Sequence, residues 1–429
     1  MATTQAGLIQ VGGRQRVAAA ACGLLGLLVS TIFSFVIYPR IAGSVGVVLD
    51  PDGHGALGWG LYKLHTFSFY PNTEPTLTRG PLYPMAVAAI LELAPKAWPF
   101  NVQLVQDFWC GITCALTCEL GRRLFGRRTG LIAGMLCAIY PLLVWYSPRI
   151  WIETMTILLF TAFVLASLYF MELPSWRRGA VLGLLIGALC LSKGTFLPFV
   201  FVLPLYFLIF RRRVGYLPIA MIPLIAVLTV LPWTIRNWML TGRFIPVHGQ
   251  AGMNLRIGDV YAAHAHETNY NFIPHWESAT AEAAAIFQKS RAEGDPGWLA
   301  EIKVNEGMLN SSLQTYAANP FFLIKKMFMN AIGFWMLSET TKKSIVAGLM
   351  HVPLLVAFAI ALFRLIRNRR VTPALALPLV VIGIYYLSHL PILGAVRYSS
   401  VIVPVMIVYA VGGCTLATAR GGPSGENQV

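Results

Sequence analysis

The sequence predicts an all-α, polytopic membrane protein, and three observations carry the prediction. The chain is 56% hydrophobic and only 12% charged, with a mean hydropathy of +0.64, too apolar for a soluble protein of this length. Apolar runs recur along it at close to the ~20 residues that span a bilayer core. Arginines concentrate in the short connections between those runs: Arg14 and Arg16, Arg122, Arg123, Arg127 and Arg128, Arg177 and Arg178, Arg211 to Arg213, and Arg364, Arg367, Arg369 and Arg370. That is the positive-inside pattern, so the net charge of +15 reports topology. The longest polar segment, 237–320, tilts acidic and has no basic patch interleaved with aromatics, which argues against nucleic acid as a partner.

Requiring each arginine cluster to face the cytoplasm orders the elements. Residues 18–38 form the first span rather than a secretory signal, because the run is long, lacks a persuasive cleavage site and is followed by many more. The first loop, 39–102, is then outside. The runs 103–121 and 129–147 go in and out, 152–171 goes in, and 179–192 comes out to Lys193. After GTFLPF the chain descends to Arg211, and 216–235 rises to deliver IRNW to the outer side. Segment 237–320 stays outside, with two or three short helices expected, one around 279–292 and one near 297–317. Runs 345–364, 373–389 and 398–417 complete about ten crossings. Two apolar segments break the parity, 81–96 with proline at both ends and 321–338 with Lys325 and Lys326 inside it; both are expected to lie in the outer half of the membrane. The chain thus divides into an N-terminal membrane module, 1–236, the outer segment 237–320, C-terminal membrane helices, 321–418, and a disordered tail, 419–429.

The seven cysteines all fall inside apolar runs. Cys110, Cys114 and Cys118 share a helix face, which points to close helix packing. The polar residues instead gather on one side: parity puts Asp50, Asp52, His54, His65, Glu74, Arg79, Asp107, Glu153, Lys193, Arg236 and Arg397 outside. Ionisable groups at a membrane face are costly unless paired or wet, so such a gathering marks a candidate site.

The ordered pattern of an aspartate after the first helix, RGPLYP, GRRLFGRRTGLIAGMLCAIYPLLVWYSPRIWIE, LSKGTFLP, LPWTIRNWMLTGRFIPVHGQAGMNLRIGD and late RYSSVIVP resembles the GT-C superfamily of integral-membrane glycosyltransferases. Within it the pattern is similar to the branch of protein O-mannosyltransferases and lipid A aminoarabinose transferases. The resemblance implies sugar transfer from a polyprenyl-phosphate donor to a lipid, glycan or protein acceptor at the outer face of a bacterial inner membrane. It implies Asp52 or Asp50 as base and Glu153 as second acid. The departure from the family pattern, DPDGH with two acids spaced by one proline, leaves the choice of base open.

These residue types suit the reaction. A hydroxyl is a weak nucleophile, and a carboxylate within hydrogen-bond reach accepts its proton as the C1 bond forms. The departing phosphate gains charge that a cation must stabilise, and Arg79 is the first candidate, then Lys193 and Arg397. Tyr83, Arg236, Asn237 and Tyr398 are candidates for the substrate cavity. Each has a plainer competitor: Asp50 or Asp52 as a helix cap, Glu153 as a partner of Arg149 one turn earlier, Arg79 and Lys193 as interfacial anchors. The residues point to no particular cofactor; a divalent ion stays open, with His54 and Glu74 as candidate ligands, although His248, His264, His266 and His275 offer no convincing ligand set. A transporter or flippase for a lipid-linked sugar is the alternative, but the chain has no internal repeat and its acids cluster at one face.

Overall fold

The computed structural model describes residues 13–41, 50–71, 73–210, 215–267 and 271–418. The Arg211–Arg213 triplet, residues 42–49 of the first loop and the 419–429 tail lie outside the described residues. All regular structure among the described residues is helical. Each of the ten expected runs is helical, and four helices are individually long and apolar enough to cross a bilayer: Arg16–Ile41, Glu153–Glu172, Tyr216–Thr241 and Thr341–Arg367. The chain is a multi-pass membrane protein.

Helix pairs close where side chains are small. The first helix packs on Phe100–Phe125, and a Cβ on Gly26 would stand 2.6 Å from Cys114 Sγ, while one on Gly134 would stand 2.6 Å from Cys22 Sγ. The cysteine face is thus packing surface. Trp176–Ser192 meets Tyr216–Thr241 through Gly179, Gly183 and Gly187, spaced four apart on one helix face. A Cβ on Gly183 would lie 2.5 Å from the Ile222 carbonyl oxygen, so only glycine lets these backbones approach. Val403–Thr418 runs through the centre: Val403, Val405, Val408 and Tyr409 are fully buried, as befits a helix apolar on all sides.

The helix ends separate into two poles. At one, Arg122 and Arg123 bind Glu119, and Arg123 also binds Glu172 at 2.6 Å; Arg364 donates to the Gly413 carbonyl at 3.1 Å. At the other stand Asp52, Glu153, Lys193 and Arg397. The two segments that broke parity both lie at this second pole. Leu82–Leu93 is fixed at both ends to the start of Phe100–Phe125, through Tyr83 Oη to Gln106 Oε1 and Asn101 Nδ2 to the Ala94 carbonyl, each 2.6 Å. Pro320–Met336 is held by Lys326 to Asp259 at 2.7 Å and by the Val396 amide to the Leu337 carbonyl at 2.9 Å.

Three boundaries differ from expectation. The 129–147 run breaks at Pro141 into Arg127–Ile139 and Pro141–Tyr146, because proline has no amide for the preceding turn. The 216–235 run continues to Thr241, so Arg236 and Asn237 belong to that helix. The outer segment forms Ala251–His264, Phe272–Ala292 and Gly297–Ala318, of 14, 21 and 22 residues; the last matches the expected 297–317, while the second starts well before the expected 279–292.

Candidate active site

The DPDGH turn separates its two acids. Gly53 adopts φ 72°, a left-handed conformation that costs other residues about 1–2 kcal/mol, and its amide donates to the Asp50 carbonyl at 3.2 Å. The chain then enters the helix His54–Leu64. Asp50 Oδ2 accepts from the Ala56 amide at 3.0 Å, capping that helix, and burial pushes its carboxyl up to about 6. Asp52 points to the other side of the turn.

There Asp52 meets residues from three distant parts of the chain. Arg397, on the one-turn helix Val396–Ser399, donates from Nη2 to Asp52 Oδ2 at 2.6 Å and from Nε to Glu153 Oε1 at 2.9 Å. Lys193 Nζ, just past the end of Trp176–Ser192, donates to the same Glu153 oxygen at 2.9 Å. Glu153 is fully buried and opens its helix, where a carboxylate also meets the positive end of the helix dipole. Burial opposes ionisation of Asp52, but the Arg397 and Arg79 guanidinium groups outweigh it and hold the carboxyl well below its usual range. Asp52 keeps about a fifth of its side chain exposed (21%). His54 lies 4.0 Å away, and burial pushes it down to about 3, so it is neutral.

Arg79 completes the group. Its Nε donates to the Asp52 carbonyl at 3.0 Å, and its Nη1 to Gln250 Oε1 at 2.5 Å. Asp52, Arg79 and Arg397 face a cavity of about 740 Å³. Val29, Phe33, Leu142, Val346 and Met350 give its lining an apolar part, and Arg149, Lys342 and Lys343 a cationic one. The cavity therefore joins a greasy groove to a charged end, the shape needed by a ligand with a long apolar tail and an anionic head.

Sequence reasoning brought Asp52, Glu153, Arg79, Lys193 and Arg397 to one place, and the structure assembles them. Other expectations need correction. Glu153 pairs with Lys193 and Arg397 rather than Arg149, which binds Glu339 at 3.1 Å. Tyr83 does not line the cavity: it is buried, bonded to Gln106 and set edge-on under His54. Arg236 stacks on Trp233, with 4.7 Å to the ring centroid, and donates to the Thr76 carbonyl; Asn237 holds the Ile245 and Val247 carbonyls. Both brace the loops. Tyr398 lies beside the cluster, with Lys193 5.2 Å from its ring centroid. Asp107 is inside the helix packing, accepting from Ser34 at 2.9 Å.

The sequence reading does not single out Gln250, Lys342 or Lys343, and it names Arg149 only as a partner for Glu153. Glutamine in a polar loop carries no signal. The lysines did carry one, since two cations at a span end that the arginine parity puts outside run against the positive-inside pattern.

The donor set does not fit a divalent cation. Asp52 and Glu153 are already bound by Arg397 and Lys193, Asp50 caps a helix, and Glu74 is engaged by Arg291 at 3.3 Å and by the Gly297 amide. Among the described residues no three His, Cys, Asp or Glu side chains gather as ligands. Three cations against two carboxylates favour an anion instead.

The sequence profile of the family described as dolichyl-phosphate-mannose-protein mannosyltransferase matches residues 78–233. No curated protein sequence matches the chain. Among solved structures, the Archaeoglobus fulgidus oligosaccharyltransferase AglB, in complex with an inhibitory peptide and a dolichol-phosphate, aligns at TM-score 0.55 and 13% identity over 97% of this chain and 53% of that one. An Archaeoglobus fulgidus oligosaccharyltransferase in the apo form aligns at TM-score 0.55 and 13% identity over 94% of this chain and 51% of that one. The Cupriavidus metallidurans ArnT bound to undecaprenyl phosphate aligns at 0.41 and 16% over 94% and 79%. The chain spans about half the length of the archaeal enzyme. The family match and the shared fold bear out the resemblance to the GT-C superfamily.

Proposed function

We propose that the chain is a GT-C glycosyltransferase that moves a sugar from a polyprenyl-phosphate donor to an acceptor at the outer, periplasmic face of a bacterial inner membrane. One observation carries the reading: a single cavity joins an apolar groove to a net-positive cluster in which one carboxylate, Asp52, stays partly exposed. The polyprenyl tail follows the groove, and its phosphate meets Arg79 and Arg397. The acceptor oxygen attacks C1 of the sugar, the C1–phosphate oxygen bond breaks with its electron pair going to the phosphate, and the acceptor proton passes to Asp52.

A carboxylate held by Arg397 is a weak base. When the donor phosphate draws the Arg397 fork toward itself, Asp52 loses its counter-ion and gains basicity, so donor binding arms the base. Glu153 keeps Arg397 and Lys193 in position. The test uses purified protein in liposomes with a polyprenyl-phosphate sugar: release of polyprenyl phosphate with glycosylation of an added acceptor supports the reading, and passage of intact donor across the bilayer without bond cleavage contradicts it.

A further inference from the structure

The cavity carries more positive charge than one donor uses. Five cationic side chains, Arg79, Arg149, Arg397, Lys342 and Lys343, line it against two carboxylates, Asp52 and Glu339, a surplus of three. A polyprenyl-phosphate sugar is a phosphodiester bearing a single negative charge. In a half-dry cavity the remaining cations are costly unless another anion meets them.

They are also grouped apart from the reacting centre. Arg149 is buried and packed among aromatic rings, 4.6 Å from the Trp145 centroid, 5.0 Å from that of Trp151 and 5.9 Å from that of Tyr38. Glu339 ties Arg149 to Lys343, and Lys342 extends exposed beside them. Trp151 links the two centres, since Arg397 lies 4.9 Å from the same ring. Arg149 Nε and Trp151 Nε1 are buried donors without partners among the described residues, so this wall still has hydrogen-bonding capacity to give.

We propose that Arg149, Lys342 and Lys343 form a second anion subsite that takes a phosphoryl group other than the one at Arg79 and Arg397. This rests on the glycosyltransferase reading and narrows its substrates: either the acceptor carries a phosphate, or the donor is a diphosphate.

The test measures binding by quenching of tryptophan fluorescence in the full-length protein, with transfer assayed separately. Arg149 is buried, so Lys342→Gln, on an exposed side chain, is the variant that preserves folding; Arg149→Gln is the stronger second variant. If the donor supplies the group, polyprenyl diphosphate binds at least tenfold tighter than polyprenyl monophosphate, and Lys342→Gln removes most of the difference. If the acceptor supplies it, protein saturated with polyprenyl monophosphate binds a glycolipid bearing a phosphate monoester at least tenfold tighter than its dephosphorylated form, with the same loss in the variant. Equal affinities in both comparisons, or preferences unchanged by both variants, overturn the subsite. Failure of donor cleavage alone overturns the glycosyltransferase reading, because the binding comparisons need no turnover.

Discussion

At the scale of single residues, the two aspartates of DPDGH hold different posts although only a proline separates them. Asp50 spends its carboxylate on the Ala56 amide, and Asp52 spends its own on Arg397. The sequence allowed either as cap, because the outcome depends on the left-handed turn at Gly53 and on a cation 345 residues away. A pH experiment separates them. The folded value of about 6 for Asp50 lies above its ordinary 3.8, so its contribution to stability is full below 3.8 and is lost as pH rises to 6. Thermal midpoints of wild type and Asp50→Asn in detergent should therefore diverge between pH 4 and 6, with wild type losing more on going up; parallel curves contradict the assignment. Gln250 orients Arg79 by a charge-assisted hydrogen bond, worth about 1.5–3 kcal/mol. Gln250→Ala should raise the KM for donor about tenfold with kcat changed less, measured by steady-state transfer.

At the scale of elements, the apolar runs marked the helical segments of the chain. The kink at Pro141 and the extension of Tyr216 to Thr241 were not legible from hydropathy, which registers apolar length and not where backbone bonding stops. Glu153 shows what element placement does: opening a buried helix, it holds Lys193 and Arg397 at once. Glu153→Gln leaves those cations short of a counter-charge, and the loss of a buried pairing costs about 3–5 kcal/mol. Denaturant titration should find it destabilised by that order, and far more than Lys342→Gln; equal stability contradicts the network. Gly183→Leu should separate Trp176–Ser192 from Tyr216–Thr241 and lower the thermal midpoint by several degrees, as a large side chain cannot fit against the Ile222 carbonyl.

At the scale of the whole molecule, charge is sorted to two poles, and the outer segment closes over the one that holds the site. Glu301 fastens that cover to the first loop, accepting from Thr76 Oγ1 and the Leu77 amide at 2.7 Å each, while Trp276 and Ile273 reach the cavity from Phe272–Ala292. A loosened cover admits water, so Glu301→Ala should raise hydrolysis of donor relative to transfer several-fold, read as free sugar against glycosylated acceptor. The pole that gathers Asp52, Glu153, Lys193 and Arg397 was legible because parity and motif order both pointed to it; the cationic group of Arg149, Lys342 and Lys343 was not, because it forms only when the segment after Pro141–Tyr146 and the start of Thr341–Arg367 come together. The central claim is that Asp52 accepts the acceptor proton at this pole. Its most direct test is the single-turnover rate of sugar transfer at saturating donor in wild type, Asp52→Asn and Asp50→Asn: the account predicts a fall of about 10²–10⁴-fold in Asp52→Asn with donor still bound, and less than about tenfold in Asp50→Asn. Transfer by Asp52→Asn at the wild-type rate contradicts it.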